Sequence, residues 1–369
     1  MTTPAMPLLL RAKRPVTELH PHSRDFQARV GHPQRQSSHA GHPPACVLTL
    51  TRTADQEIDA LSLQLAAQGI PLVRIDADRC TQAETLWDPV TGTLHWEGNT
   101  FRPVVCWRRY FDAQAMRLQG TGRHSAGRLE THYMRDQWSA WGHAMAASVV
   151  RRINHSAGSS PPDRISQLRA ARSAGLRIPA TAVTSVPASA LKAIAGEGDL
   201  LVKSLGHHAV ESAPGQLHGV YPERLRRDAI RTYTSPELAP VLVQEFVEAD
   251  RELRVYIIGA QMVAYAVTRP APEALWTTPD SIFVEECTIP AAIEVALWRV
   301  ANQFGLEMAA FDLLDAPGGP VFLEVNTHSD WLWAERKAKS DAVSRAVHTM
   351  VKDLFEAHDT APEGSTTHA

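Results

Sequence analysis

The sequence predicts an α/β protein of two or three subdomains, and three observations carry that reading. Its 369 residues are 44% hydrophobic, ample for a sizeable core. From Cys46 onward, strand-like and helix-like periodicities alternate as they do in βαβ units. Near the carboxyl end, Met308 to Trp333 (MAAFDLLDAPGGPVFLEVNTHSDWLW) reads as two strands and a turn, with polar residues set into apolar runs.

Composition excludes several classes. Lys plus Arg number 37 against 40 for Asp plus Glu, so no overall field points to nucleic acid or to a membrane surface. No apolar run is long enough to span a bilayer. Pro7-Leu8-Leu9-Leu10 is too short for a signal-peptide core, and the basic residues follow it instead of preceding it. Cys46, Cys80, Cys106 and Cys287 are scattered, without metal spacing or a disulfide framework, which predicts a reducing cytoplasm.

Residues 1–44 are rich in Pro, Arg and His and lack apolar periodicity, so they predict a disordered arm. Residues 45–150 predict a small α/β domain. In it, Val47–Thr51 and Leu72–Asp76 are strands flanking a helix over Asp55–Gln68, which Gly69 ends. Trp87–Phe101 predicts a meander, and Val104–Trp107 a return to the sheet that ends in Arg108-Arg109-Tyr110. Glu130–Ser148 predicts a helix whose Met134, Trp138, Trp141 and Met145 form a core stripe.

The second domain spans residues 151–358. Asp163 caps a helix over Arg164–Ala174, and Ile178–Thr184 is a strand. A short helix over Leu191–Ala195 precedes Leu200–Lys203, a buried strand ending in lysine. Gly206-His207-His208 to Gly215 reads as a polar, flap-like turn, and Val241–Val247 as a strand. Glu252–Ile258 and Val263–Arg269 form a hairpin, and Ala291–Phe304 an amphipathic helix ended by Gly305. Helices follow around Trp331–Ala338 and Ala342–Ala357, and residues 359–369 form a polar tail.

The chemistry concentrates in this second domain. In the Met308–Val325 hairpin, Pro317-Gly318-Gly319-Pro320 supplies the turn. Glu324 and Asn326 are two apart, so they share one face of a strand, and Asp312 can sit beside them on its neighbour. Two carboxylates and an amide suit Mg²⁺, with Mn²⁺ as a substitute. A solvated acidic hairpin is the alternative, opposed by Phe311, Leu313, Phe322, Leu323 and Val325. Lys203 requires a counter-charge, which a nucleotide phosphate or a snorkelling path to water would supply. Arg254 shares a face with Glu252 and Tyr256, and Arg269 ends the paired strand, so the two guanidiniums could clamp a transferring phosphoryl group or form a surface ladder with Glu. Gln244, Glu245, Phe246 and Val247 could present backbone groups to an adenine, with Glu248, Asp250 or Glu252 at the ribose.

Taken together, the lysine-ended strand, Gln-Glu-Phe-Val, Glu-Leu-Arg-Val-Tyr-Ile-Ile-Gly and Phe-Asp-Leu-Leu…Phe-Leu-Glu-Val-Asn resemble the ATP-grasp superfamily of carboxylate–amine ligases over about residues 163–356. The resemblance implies an ATP-grasp fold with an N-terminal pre-ATP-grasp α/β domain. It implies ATP and Mg²⁺ as cofactors, with Lys203 at phosphate, Glu245–Val247 at adenine and Glu252 at ribose. Asp312, Glu324 and Asn326 would hold the metal, and Arg254 and Arg269 would face the γ-phosphate or acyl phosphate. Arg164 falls near an earlier phosphate-binding position. A narrower resemblance runs from about Val47 to Leu354. Arg74–Arg79, Trp107-Arg108-Arg109, Ile153-Asn154, Ile178–Thr181 and Glu324-Val325-Asn326 with Trp331-Leu332-Trp333 are similar to the microviridin-type (graspetide) peptide maturases. These phosphorylate an Asp or Glu side chain of a ribosomal precursor peptide, docked by its leader segment, and close an ester or amide within it. That implies a cytoplasmic enzyme with a peptide partner, no nucleic acid and no membrane, and it leaves a homodimer open.

The chain departs from that pattern in one loop. Asn326-Thr327-His328-Ser329-Asp330-Trp331 stands where the family has Asn-Pro-Asn-Gly-Gln-Trp, which brings His328 forward as a general base or as an ordinary polar loop residue. Two rival functions remain: a ligase adding a free amino acid to a small acid or a protein C-terminus, and a pseudo-ligase that binds nucleotide or leader peptide without chemistry.

Overall fold

The computed structural model describes residues 43–113, 115–116, 128–154, 162–206, 209–213, 216–219, 222–233, 239–270 and 278–358. The arm expected over 1–44, but for its last two residues, the tail from 359 and the His207-His208 pair lie outside the described residues.

The first sheet gathers β1 (Ala45–Thr51), β2 (Leu72–Asp76), β3 (Thr85–Asp88), β4 (Thr93–Trp96), β5 (Asn99–Arg108) and β6 (Arg151–Ile153). Its order is β2-β1-β5-β4-β3, with β6 beside β5. Between β1 and β2 runs α1 (Gln56–Ala66), capped by the Asp55 side chain accepting from the Ile58 N–H. The end of the expected meander and the returning strand, expected as separate pieces, are one strand, β5. The first residues of β5 pair antiparallel with β4, and its remainder runs parallel to β1 and β6. The β1–β5 register shifts at Cys46/Val47, beside Pro103, where the missing N–H is best tolerated.

Helix α2 (Arg128–Ser148) packs only part of its expected stripe. Met145 is buried and Trp138 and Trp141 meet edge to face at 5.4 Å, whereas Met134 is 41% exposed.

The middle of the chain builds α3 (Arg164–Ser173), β7 (Thr181–Thr184), α4 (Ala190–Ala193), β8 (Leu200–Ser204), β9 (Ala209–Ala213), β10 (Gln216–Gly219), β11 (Glu223–Leu225), α5 (Arg227–Arg231) and β12 (Val241–Glu245). Four of these strands form an antiparallel sheet of order β11-β8-β12-β7. The strand expected from Ile178 starts only at Thr181, after Pro179, which has no N–H to give a ladder. The segment expected as a polar turn pairs β9 with β10 as an antiparallel hairpin.

The last sheet has the order β15-β14-β13-β16-β17. It combines β13 (Glu252–Ile258), β14 (Gln261–Thr268), β15 (Phe283–Cys287), β16 (Met308–Leu314) and β17 (Val321–Asn326). Helix α6 (Ala291–Phe304) precedes β16 and ends at Gly305 with φ 59°, a left-handed cap that suits glycine. Helices α7 (Leu332–Ala338) and α8 (Ala342–Glu356) close the chain. The Met308–Val325 hairpin forms as the sequence indicates. Arg177 Nη1 donates to the Pro317 and Gly319 carbonyls, at 3.0 and 2.6 Å, and so braces its turn.

One face of the last sheet (Leu253, Val255, Ile257, Phe311, Leu313) buries against α3 and α6. The other shares a single apolar cluster with the first sheet: Val47, Val105 and Trp107 pack with Tyr256, Trp331, Val343 and Val347. Trp107 stacks on Trp331 at 6.2 Å with 5° between planes. Asn154 pins the same junction in the left-handed region, φ 68°. Its Oδ1 accepts from the Met308 N–H at 2.9 Å and its Nδ2 donates to the Thr327 carbonyl at 3.2 Å. Asn adopts that conformation more readily than most non-glycine residues, and these two long-range bonds hold it there. Among the described residues, no helix is long and apolar enough to cross a membrane. The four cysteines are unbridged, and Cys46, Cys80 and Cys106 are buried.

Gly142 tests this packing. Replacing a glycine inside a helix by alanine ordinarily stabilises by about 1 kcal/mol. Here the new Cβ would lie 2.7 and 2.8 Å from two ring carbons of the buried Phe111. Gly142→Ala therefore destabilises the chain, by about 1–3 kcal/mol in urea unfolding, because overpacking outweighs propensity.

Candidate active site

Strand register assembles the site. Arg254 on β13 pairs with Asp312 on β16, and Asp312 pairs with Glu324 on β17, so the three stand in one row across adjacent strands. Asn326 pairs with Ala310, one step along the same face. Arg254 Nη1 donates to both Asp312 oxygens at 2.8 Å, and Asn326 Nδ2 donates to Asp312 Oδ2 at 2.8 Å. Arg164, the first residue of α3, is salt-bridged to Glu324. The three expected metal ligands thus converge.

Among the described residues, no group of three His, Cys, Asp or Glu side chains is arranged to hold a metal, so a cation held here would need the Asn326 amide as its third protein ligand. The donor set fits a hard cation: two carboxylates, plus an amide whose nitrogen faces Asp312 and whose Oδ1 remains an acceptor. Burial pushes the Asp312 carboxyl up, while the Arg254 guanidinium pulls it down and Glu324 adds to the rise.

Lys203 comes from β8, in the β11-β8-β12-β7 sheet. It is buried, and that burial pushes its ammonium down to about 8, although the Glu324 carboxylate opposes the shift. Glu252 and Asp312 act on it in the same sense as Glu324, and Arg164 against it, so Lys203 shares the electrostatic environment of the row. Gln244 pairs with Leu201, two before Lys203, and so lies on the same face of its sheet. Its Nε2 donates to Thr181 Oγ1 at 2.9 Å, and its buried Oε1 has no partner among the described residues.

Two expectations change in detail. The Glu245 and Phe246 N–H groups donate to the Ala180 and Asp199 carbonyls, both at 2.9 Å. A base meeting this hinge is therefore left the carbonyls, the Val247 N–H and Gln244 Oε1. Glu252 and Arg269, expected at ribose and phosphate, are ion-paired with one another. Phe246 itself is covered by the Arg224 guanidinium, 3.9 Å from its ring centroid.

Sequence reasoning missed a second charged cluster that abuts the first. At the carboxyl ends of β1 and β5, Arg109 Nε donates to Asp55 Oδ2 at 2.8 Å, with neither side chain exposed. Arg109 Nη2 reaches Asp330 Oδ1 at 3.1 Å, and the Tyr110 hydroxyl donates to the same oxygen. Tyr256 Oη donates to the Asp330 carbonyl at 2.8 Å. The available signal was an Arg-Arg-Tyr run closing a buried strand, at the point where the sheet order turns from β2 to β5 on either side of β1. His328 lies half-buried against Tyr110, with ring centroids 4.5 Å apart. Burial and the Arg109 cation push it down to about 4, which makes it a neutral, weak base.

Glu57 also belongs to this cluster. It accepts from the Leu332 N–H at 3.3 Å, and burial, with Asp330 and Asp55 nearby, pushes it up from 4.5 to about 8. Between those values the folded chain keeps a proton that the unfolded chain releases, so stability falls as pH rises from 4.5 to 8. Glu57→Gln removes that slope. The variant should match the parent near pH 4.5 and exceed it by about 4 kcal/mol at pH 8 in denaturant titrations.

No protein-family model matches the chain, and no curated protein does. Solved structures do. Macrocyclase MdnC bound with precursor peptide MdnA, from Microcystis aeruginosa MRC, is similar at a TM-score of 0.66 and 20% identity, over 83% of this chain and 99% of that one. ATP-grasp ligase PsnB, complexed with a phosphomimetic variant of its minimal precursor, Mg and ADP, gives 0.66 and 17%, over 86% and 100%. D-cycloserine synthetase DcsG gives 0.52 and 16%, over 84% and 99%. The chain has the ATP-grasp fold.

Proposed function

We propose that this chain is an ATP- and Mg²⁺-dependent ligase acting on a ribosomally made precursor peptide. One observation carries the reading: the row Arg254–Asp312–Glu324, with Asn326 beside it, shares its electrostatic environment with the buried Lys203 of a second sheet. That arrangement gathers hard oxygen ligands and phosphate-directed cations on one face. The same fold in MdnC and PsnB was solved with precursor peptides, and in PsnB with Mg and ADP. On this reading residues 45–150 are the pre-ATP-grasp domain and residues 151–358 the ATP-grasp domain. The unbridged thiols suit a cytoplasmic setting.

In the reaction, an oxygen of a substrate Asp or Glu carboxylate attacks the γ-phosphorus of ATP, the bond to the β–γ bridging oxygen breaks, and ADP leaves. A Ser or Thr hydroxyl, or a Lys amine, of the same peptide then attacks the acyl carbon. It gives up its proton as inorganic phosphate departs, so the peptide loses one water overall. Asp312, Glu324 and Asn326 would hold Mg²⁺, or Mn²⁺ in its place. When bound, the ion offsets phosphate charge and orients the transferring group. Lys203, Arg254, Arg269 and Arg164 supply the remaining positive charge. Gln244 Oε1, the Val247 N–H and the carbonyls of Glu245 and Phe246 are the in-plane partners open to adenine, with Glu252 toward the ribose.

A small-molecule amino-acid ligase is the second reading, favoured by the likeness to D-cycloserine synthetase. Mass spectrometry after incubation with Mg-ATP and the short peptide encoded beside this gene separates the two. Loss of one water supports cyclisation; gain of an amino-acid mass supports the rival.

Glu324→Gln and Asp312→Asn should keep the fold, by circular dichroism, and lower nucleotide turnover at least about 100-fold. Parental turnover in both variants would remove the metal assignment. Lys203 makes a second mark. Its free amine sits at about 8, and a bound polyphosphate raises it. Mg-ADP binding should therefore take up a proton above pH 8, and affinity should fall as pH rises through that value. Calorimetry in two buffers of different ionisation heat reads the uptake, which Lys203→Met should abolish.

A further inference from the structure

We propose that Asp330 is a positioning residue, a strap through which the first sheet sets the orientation of Arg254. This rests on the ligase reading only in what Arg254 is for; the strap itself is a matter of contacts. Asp330 is gripped from two sides by different atoms. Its carboxylate takes Arg109 Nη2 at 3.1 Å and the Tyr110 hydroxyl, both at the end of β5. Its backbone carbonyl takes Tyr256 Oη at 2.8 Å and, more loosely, Arg254 Nη2 at 3.5 Å, both on β13. Arg254 in turn rests its Nε on Tyr256 Oη at 3.3 Å.

The anchors at each end are rigid. Arg109 is locked by the unexposed Asp55, which also caps α1. On the carboxyl side, Trp331 stacks on Trp107 and donates its indole N–H to Ser344 Oγ at 2.9 Å. On the amino side, buried Ser329 adopts φ 56° and its hydroxyl closes a turn onto the Asn326 carbonyl at 2.7 Å. A non-glycine residue in that region is held there by its surroundings. The peptide unit at Asp330 therefore cannot shift without moving either the end of the first sheet or the β13 side chains that reach the Asp312 carboxylate. The loop that departs from the graspetide pattern thus contributes a carboxylate that ties two sheets together.

Tyr110 and Tyr256 make the test, because each hydroxyl bonds a different atom of Asp330. The four proteins of a double-mutant cycle, with Tyr110→Phe and Tyr256→Phe, are unfolded in urea. A strap predicts that the double variant loses less than the two singles combined, by about fivefold in the unfolding constant. Additive losses overturn it, whether or not the parent chain binds nucleotide. Steady-state ATP turnover is the second readout. Tyr110→Phe and Asp330→Ala should each lower kcat about tenfold with KM for ATP within about twofold, as expected when orientation and not binding is lost. Asp330→Asn, which keeps an acceptor for Tyr110, should recover part of that loss. Unchanged kcat in Asp330→Ala overturns the positioning role. A parent chain without any nucleotide turnover sinks the ligase reading instead, and the urea cycle still decides the strap.

Discussion

Carboxylates set into an apolar sheet have to be neutralised, and that requirement organises the centre of this protein. Asp312 and Glu324 stand opposite one another on adjacent strands, where like charges repel and water is scarce. The structure answers with a guanidinium for each: Arg254 from the strand on the other side of Asp312, and Arg164 from the start of α3. Lys203 adds a buried ammonium, which burial pushes down and the Glu324 carboxylate supports. Charges of both signs are held so close that a small displacement of any element changes the balance. Such a cluster gives little net stability, but it creates a surface suited to a multiply charged ligand with its own cation.

That sensitivity gives the surrounding scaffold its meaning. The first and last sheets share one apolar cluster, and the Trp107–Trp331 stack crosses it. The Asn154 side chain and the Asp330 carboxylate and carbonyl bridge the same junction with hydrogen bonds. Apolar packing supplies the adhesion there, and the directional bonds choose one arrangement out of the many that packing would allow.

Periodicity was a sound guide wherever an element is stabilised by its own neighbours. The ends of α6, the Pro317–Pro320 turn and the two-residue spacing of Glu324 and Asn326 follow from local rules alone. It failed where partners are distant. The end of the meander and the returning strand merge into β5 because that strand changes partners from β4 to β1 after Phe101, which no local pattern reveals. The stripe on α2 reads as core, yet Met134 is left in solvent because nothing among the described residues covers that end. Glu252 and Arg269, seventeen residues apart, look like independent ligands until the hairpin pairs them.

The sequence by itself determined the α/β class and the hairpin that carries Asp312, Glu324 and Asn326. It also determined the lysine closing a buried strand and the paired arginine on the neighbouring face, because residue type and spacing of two dictate which side chains stand together on a strand. Only the tertiary structure decided which guanidinium neutralises which carboxylate and which hinge amides remain open to a base. It alone showed that Asp330 faces the first sheet. These are choices between partners tens to hundreds of residues apart, made by the packing of the first sheet and of α3 against the last sheet, and burial then converts each of them into a strong electrostatic preference.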